Sequence, residues 1–384
     1  MTTPSAHPAL RRASIQDTEL ANRLAVAPMT RVSATKDGVP TEAMAEYYES
    51  FARGGFALVI TEGTYTDDRH SQGYANQPGL VTDAHVEGWR KVTEGVHRAG
   101  GRIVAQLMHA GALSQGNHHL SETAGPSAVR PRGEMMPDYG GSGPWPVPRE
   151  LTRAEIAQVV AGFVAAARNA HRAGFDGIEV HAANGYLLDQ FLTGYTNQRT
   201  DDYGGGVHNR VRLAAEVLAA ISEAVPREFW RGIRLSQTKV NDFEYRWPGG
   251  AYDAEVIFSA VTAAGAGYLH IASEGRNWID TARLDNGETI TALARKISGL
   301  PVIANGGMHD VEQAARVLDE GHADLLSLGR AALADPRLPH RMAAGEPPTR
   351  FDPGMVQPMA TLANTRRWRE QNARESTGPL GGHG

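Results

Sequence analysis

Cysteine is absent from the 384 residues. That removes disulfides, thiolate metal sites, cysteine nucleophiles and protein-ligated iron–sulfur clusters together. No apolar run approaches the ~18 residues of a membrane span, and the polar stretch Met1 to Ser14 has no apolar segment of the signal-peptide kind. A cytoplasmic chain without a membrane partner is therefore expected. Charge is modest in either sign, net −5, and no long basic run argues for a nucleic-acid partner. Missing too are the glycine fingerprints GxGxxG and GxxxxGK[ST], the zinc motif HExxH and the nucleophile elbow GxSxG. Classical dinucleotide folds, P-loop enzymes, zincins and α/β-hydrolases lose ground accordingly. No metal site is expected, since the adjacent His118 and His119 have the look of a solvated loop.

What is present is 41% apolar residues, enough for the core of one large domain or two ordinary ones. A short apolar run, a loop, an amphipathic helix and a glycine recur along the chain. Eight runs read as strands: Arg23–Ala27, Phe56–Thr61, Arg102–Leu107, Phe175–Val180, Gly232–Leu235, Gly267–Ile271, Pro301–Ala304 and Ala323–Leu328. Between them lie helical stripes such as Val86, Trp89, Val92 and Val96. Thr152 and Glu155 make a capping box, and Asp253 and Asp310 read as further caps. Alternation of this kind implies a parallel sheet. Eight units point to a single (β/α)8 TIM barrel, with a doubly wound sheet as the rival. The long Gly-, Pro- and Ser-rich excursion from Met108 to Leu151 follows the third strand and reads as a capping loop over the active face. The expected layout is a loose end at 1–9, the barrel at 10–345, an extension at 346–375 and a loose tail at 376–384.

Barrel enzymes carry their chemistry at the C-terminal ends of the strands. Those ends here hold Pro28-Met29-Thr30, Glu62-Gly63, Gln106 and His109, His181 to Tyr186, Arg234, Ser273-Glu274, Asn305-Gly306-Gly307 and Gly329-Arg330. The seventh and eighth ends fit phosphate, because glycine lets backbone N–H groups approach its oxygens and arginine pairs with it in bidentate fashion. On spacing alone the same residues are equally a tight turn and a surface cation. His181 and Asn184, three apart, also suit one surface of a helical turn.

Several strings resemble the Old Yellow Enzyme family. They are Asn22-Arg23 with Ala27 to Arg31, Glu46-Tyr47-Tyr48 with Gly54-Gly55, Gln106 to His109, and above all His181 to Leu192. The likeness continues through Asn197 to Asp201, Tyr203 to Gly205, Asn209-Arg210, Gly232-Ile233-Arg234 and Leu328-Gly329-Arg330. It implies a non-covalent FMN and NAD(P)H as reductant. The reaction implied is a ping-pong reduction of an activated C=C bond, in an α,β-unsaturated carbonyl or nitro compound, by hydride transfer through flavin N5. By resemblance, Pro28, Met29, Thr30 and Gly63 line the flavin ring, Gln106 bonds its pyrimidine edge and Arg234 lies near N1 and O2. Asn305, Gly306, Gly307, Gly329 and Arg330 hold the phosphate end. His181 and Asn184 bind the substrate oxygen, Tyr186 donates the proton and Met108 borders the substrate.

Three departures bear on that picture. Met108 stands where many relatives have Trp, Ala112 replaces a common Arg, and Thr30 occupies a position that is Cys in one branch. The segment from Phe351 to Arg369, with its Arg366-Arg367-Trp368-Arg369 run, does not match the best-known members; it is read as a solvated helix face or as a reach toward a neighbouring subunit in a homo-oligomer. Two other readings stay open: a flavin-binding barrel without turnover, and a phosphate-binding lyase or isomerase. The second would want a lysine at a strand end, and Lys239 is expected to lie in the loop beyond strand five.

Overall fold

The structure is a computed structural model and describes residues 7–273 and 277–376. Glu274 and the outer parts of both expected loose ends, 1–6 and 377–384, lie outside the described residues. Eight parallel strands close on themselves: β1 (Leu24–Val26), β2 (Leu58–Ile60), β3 (Arg102–Met108), β4 (Gly177–Asn184), β5 (Trp230–Lys239), β6 (Tyr268–Ala272), β7 (Val302–Asn305) and β8 (Leu325–Leu328). Each pairs with its chain neighbour, and β8 pairs back onto β1. The doubly wound alternative is thereby removed.

Outside the barrel run α1 (Glu42–Arg53), α2 (Asp83–Arg98), α3 (Arg153–Arg172), α4 (Arg212–Ala224), α5 (Gly250–Ala263), α6 (Ile290–Ser298) and α7 (Val311–Asp319). Their apolar stripes, such as Val86, Trp89, Val92 and Val96 on α2, pack with the outward side chains of the strands. Inside the barrel floor, Ile15 and Leu20 of the hairpin Ala13–Leu20 plug the lower end against Leu58, Val104, Trp230 and Tyr268. Solvent is thus excluded below, and the open end is the mouth at the strands' C-termini.

The capping box forms as read, with Glu155 N–H donating to Thr152 Oγ1 at 3.3 Å and Thr152 N–H to Glu155 Oε2 at 2.8 Å. Asp310 caps α7 by accepting the N–H groups of Glu312 and Gln313, both at 3.0 Å. Asp253 is a correction: α5 starts at Gly250, and Asp253 lies inside its first turn, reaching back to the Gly249 N–H at 3.1 Å. Part of the segment expected to be loose, 1–9, is among the described residues and is ordered. Pro8–Leu10 form a 3-10 turn, Ala9 is buried, and its carbonyl accepts from Arg23 N–H at 2.9 Å.

Strand five is the largest correction. It runs to Lys239, four residues beyond the expected Leu235, with a register shift against β4 on the way. An apolar run stops at Leu235, but Ser236 to Lys239 stay buried in a ladder where polar side chains find partners. Lys239 is therefore a strand end, not a loop residue. The segment beyond residue 346 returns to the mouth through Phe351, Val356 and Ala360 and then forms the helix α8 (Leu362–Ser376).

Candidate active site

At the mouth lies a cavity of about 620 Å³, within the range of small-molecule sites. Every residue given a role by the resemblance borders it: Pro28, Met29, Thr30, Gly63, Gln106, Met108, His181, Asn184, Tyr186, Arg234, Asn305, Gly306, Gly307, Gly329 and Arg330. His181 and Asn184 share a strand, β4, rather than a helical turn. Glu179 and His181 are two apart and so face the barrel interior together. Gln106 is the ladder partner of Glu179, and Arg234 that of His181.

The turn after β4 aims the reactive groups. Asn184 and Gly185 both have left-handed backbones, φ 64° and 89°, and a Cβ on Gly185 would meet Asn241 Oδ1 at 2.7 Å. That reversal brings Tyr186 back over His181, their ring centroids 5.0 Å apart. The Tyr186 hydroxyl is hydrogen-bonded to that of Tyr74, a buried residue that pattern reading passed over. Burial, helped by the charges of Arg234 and His270 and opposed by Glu179, lowers the His181 pKa to about 3. The imidazole is therefore neutral, and its Nδ1 is buried without a partner among the described residues.

Beneath the cavity runs a polar chain that sequence reading missed. Gln106 Nε2 donates to Glu179 Oε1 at 2.9 Å; Tyr268 O–H and His270 Nδ1 meet Glu179 Oε2 at 3.1 and 2.9 Å. His270 Nε2 then meets Ser327 Oγ at 2.8 Å, and Asn305 Nδ2 donates to the same oxygen at 3.0 Å. Arg234 closes the chain by donating to Asn305 Oδ1 at 3.5 Å. Burial pushes the Glu179 carboxyl up, but His270, Arg234 and Gln106 outweigh it, and its pKa falls below the ordinary value. A charged carboxylate thus fixes which way the Gln106 amide points.

Glu62 plays the same part on the other wall. It accepts from the N–H groups of Arg31 and Val32, at 2.8 and 3.2 Å, and from Tyr48 O–H at 3.2 Å, which holds the segment carrying Thr30. Burial raises its pKa to about 7 against those bonds. Arg31 in turn donates to the carbonyls of Ala360 and Thr361 at 2.9 and 3.0 Å, pinning the C-terminal segment so that Phe351, Val356 and Ala360 complete the rim. From the long excursion, Met136, Pro137, Asp138 and Tyr139 reach the same rim, and Ala360 N–H donates to Asp138 carbonyl at 2.9 Å.

At β7 and β8, Gly306 and Gly307 have φ 107° and 71°, which side chains resist, and a Cβ on Gly307 would stand 2.8 Å from Asn277 Oδ1. Arg330 is exposed at the rim, and among the described residues its guanidinium makes no hydrogen bond or ion pair. An arginine without a partner beside a bare backbone turn fits a phosphate. A Cβ on Gly63 would strike Met108 Sδ at 2.6 Å, so glycine there lets the Met108 side chain pack against the backbone.

The family model for the NADH:flavin oxidoreductase / NADH oxidase family matches residues 13–348. The chain belongs to this family, that of the Old Yellow Enzymes. Among relatives, a probable flavin mononucleotide-dependent alkene reductase of Leishmania infantum is 37% identical over 347 residues, covering 87% of this chain and 90% of that protein. Putative 12-oxophytodienoate reductase 5 of Oryza sativa subsp. japonica is also 37% identical, covering 87% of each. Two solved structures superpose with TM-scores of 0.79 at 33% identity. One is the old yellow enzyme homologue of Zymomonas mobilis, covering 89% of this chain and 94% of that one. The other is morphinone reductase in complex with tetrahydroNAD, covering 91% and 93%. Membership in the family sets aside the non-flavin lyase or isomerase. The strand-end lysine that such an enzyme would use, Lys239, is paired with Asp189 and does not border the cavity.

Proposed function

We propose that the residues at this mouth divide into a flavin cradle, an oxygen-binding pair and a proton donor. The chain is an FMN-dependent oxidoreductase that reduces activated C=C bonds with electrons from NAD(P)H. Bound FMN supplies the chemistry that side chains lack, accepting hydride from the nicotinamide and delivering it to the alkene β-carbon. Arg330 and the Gly306-Gly307 and Gly329 backbone would hold its phosphate. Pro28, Met29, Thr30 and Gly63 would bound the ring, and Gln106, held by Glu179, would present its amide to the pyrimidine edge. Arg234 would place a cation near N1 and O2, where negative charge gathers on reduction.

His181 and Asn184 would hydrogen-bond the carbonyl or nitro oxygen of the substrate. Both are neutral donors fixed in place before substrate arrives, so they stabilise the enolate charge as an oxyanion hole does. Tyr186 would give its proton to the α-carbon; a phenol keeps that proton at neutral pH, and the Tyr74 hydroxyl fixes its direction. The observation that carries this reading is that His181, Asn184 and Tyr186 border one cavity together with Arg330 and the Gly306-Gly307 turn.

Tyr186→Phe tests it. The ring and its packing remain, so FMN content and flavin reduction by NAD(P)H should hardly change. Reoxidation by cyclohexenone should slow by about 10²–10⁴-fold, the usual worth of a general acid. A nitroalkene should suffer less, since its nitronate can leave and collect a proton from water. Anaerobic stopped-flow at the flavin band separates the two half-reactions, and an enone rate equal to the parent's would remove Tyr186 from the role.

A further inference from the structure

Lys239 and Asp189 form an ion pair that water does not reach and that the reaction above does not use. The side chains are 1% and 0% exposed, and Nζ lies 2.7 Å from Oδ1. Burial pushes the Asp189 carboxyl up and the Lys239 ammonium down, and each partner's charge opposes the other's shift. A buried pair is a poor source of stability, because desolvating two charges offsets most of their attraction. Its placement is what needs an account.

That placement is the back of the catalytic turn. The second oxygen of Asp189 accepts the Gly185 N–H at 2.7 Å. Lys239 is the ladder partner of Asn184, and the next residue, Val240, donates its N–H to the Asn184 carbonyl at 3.1 Å. Two successive left-handed residues, Asn184 and Gly185, make a turn that L residues resist, so it must be held from outside. Ser236 and Gln190 contribute neutral hydrogen bonds at 2.8 and 2.7 Å. Asp189 is the charged acceptor on this turn, and Lys239 fixes where that charge sits. On its far side Lys239 opens a tight turn, its N–H donating to Asp242 carbonyl at 3.0 Å, which carries Val240 and Phe243 to the cavity wall.

We propose that the Lys239–Asp189 pair is a positioning device for the substrate half of the site, locking the Asn184–Tyr186 turn and the Val240 wall in one register. It rests on the roles assigned above to Asn184 and Tyr186. Lys239→Met keeps the stem and removes the charge. The double variant Lys239→Met/Asp189→Asn removes both charges while leaving an acceptor for the Gly185 N–H, and so guards against a failure to fold. Each is purified as holoenzyme, checked for FMN content, and reoxidised by cyclohexenone in anaerobic stopped-flow, alone and combined with Tyr186→Phe.

The enone rate per bound FMN should fall by at least about tenfold in both variants, since small misplacements near a reacting centre cost that much or more. In the Tyr186→Phe background the same changes should cost much less, because the group they position is gone. A parental enone rate in both variants would overturn the proposal, even with a lowered melting temperature, since the pair would then be structural only. Where Tyr186→Phe is itself slow, losses that simply multiply with its own would overturn it too. A parental rate for Tyr186→Phe itself sinks the assignment of Tyr186 as acid; a slow Lys239→Met in that event still supports the pair as positioning Asn184 and Val240.

Discussion

Arg330 and His181 show how a single side chain is prepared for what it binds. Arg330 stands at the rim without a partner among the described residues, so binding phosphate costs it no existing bond. Removing a charge-assisted contact of this kind costs roughly 1.5–3 kcal/mol, so Arg330→Ala should weaken FMN binding about tenfold to a hundredfold. Titrating apoprotein with FMN checks this, and unchanged affinity would move the phosphate site elsewhere. His181 is prepared in the opposite sense: burial keeps it neutral far below its ordinary range, so the hydrogen bond it offers does not vary across neutral pH. Both residues were legible in the sequence because each follows or ends a strand whose apolar run is plain. Tyr74, Glu179 and His270 were not. Tyr74 comes from a loop whose path over the mouth only the fold defines, and Glu179 and His270 meet across a barrel that must close first.

At the scale of elements, the start of α3 anchors the downstream root of the excursion that reaches the rim. Thr152 and Glu155 cap the helix, and Arg149, on the strand segment just before it, donates to both oxygens of Glu155 at 3.0 and 2.8 Å. Thr152→Ala should cost about 1 kcal/mol, the usual worth of an N-cap, and lower the melting temperature by about 2 °C. The Arg149 bond, then the Thr152 N–H and hydroxyl, lower the Glu155 pKa from 4.5 to about 2. A carboxylate whose folded pKa is depressed stabilises the fold above its unfolded value, and that contribution fades as pH falls through the folded one. The stability gap between parent and Glu155→Gln should therefore be full at neutral pH, shrink below 4.5 and be nearly gone near 2. Unfolding at a series of pH values measures it, and a gap that does not depend on pH would contradict the assignment. The cap was legible because its residues are local in sequence. The end of β5 was not, because Ser236 to Lys239 are polar and their burial depends on partners in β4 and the turn beyond it.

Across the whole molecule, one closed sheet brings eight strand ends, the excursion and the returning C-terminal segment to a single cavity. The order of strands and the chemistry of their ends could be read along the chain. The part played by residues beyond 346 could not, since contacts with Arg31 and Asp138, both far away in the chain, bring Ala360 to the rim. The central claim is that this mouth holds FMN and passes electrons from NAD(P)H to an activated alkene. It is tested most directly by the visible spectrum of the purified protein, taken anaerobically before and after one equivalent of NAD(P)H and again after cyclohexenone. The account predicts an oxidised flavin band that NAD(P)H bleaches and the enone restores. A colourless protein that takes up no FMN, or a bleached band that the enone leaves bleached, would contradict it.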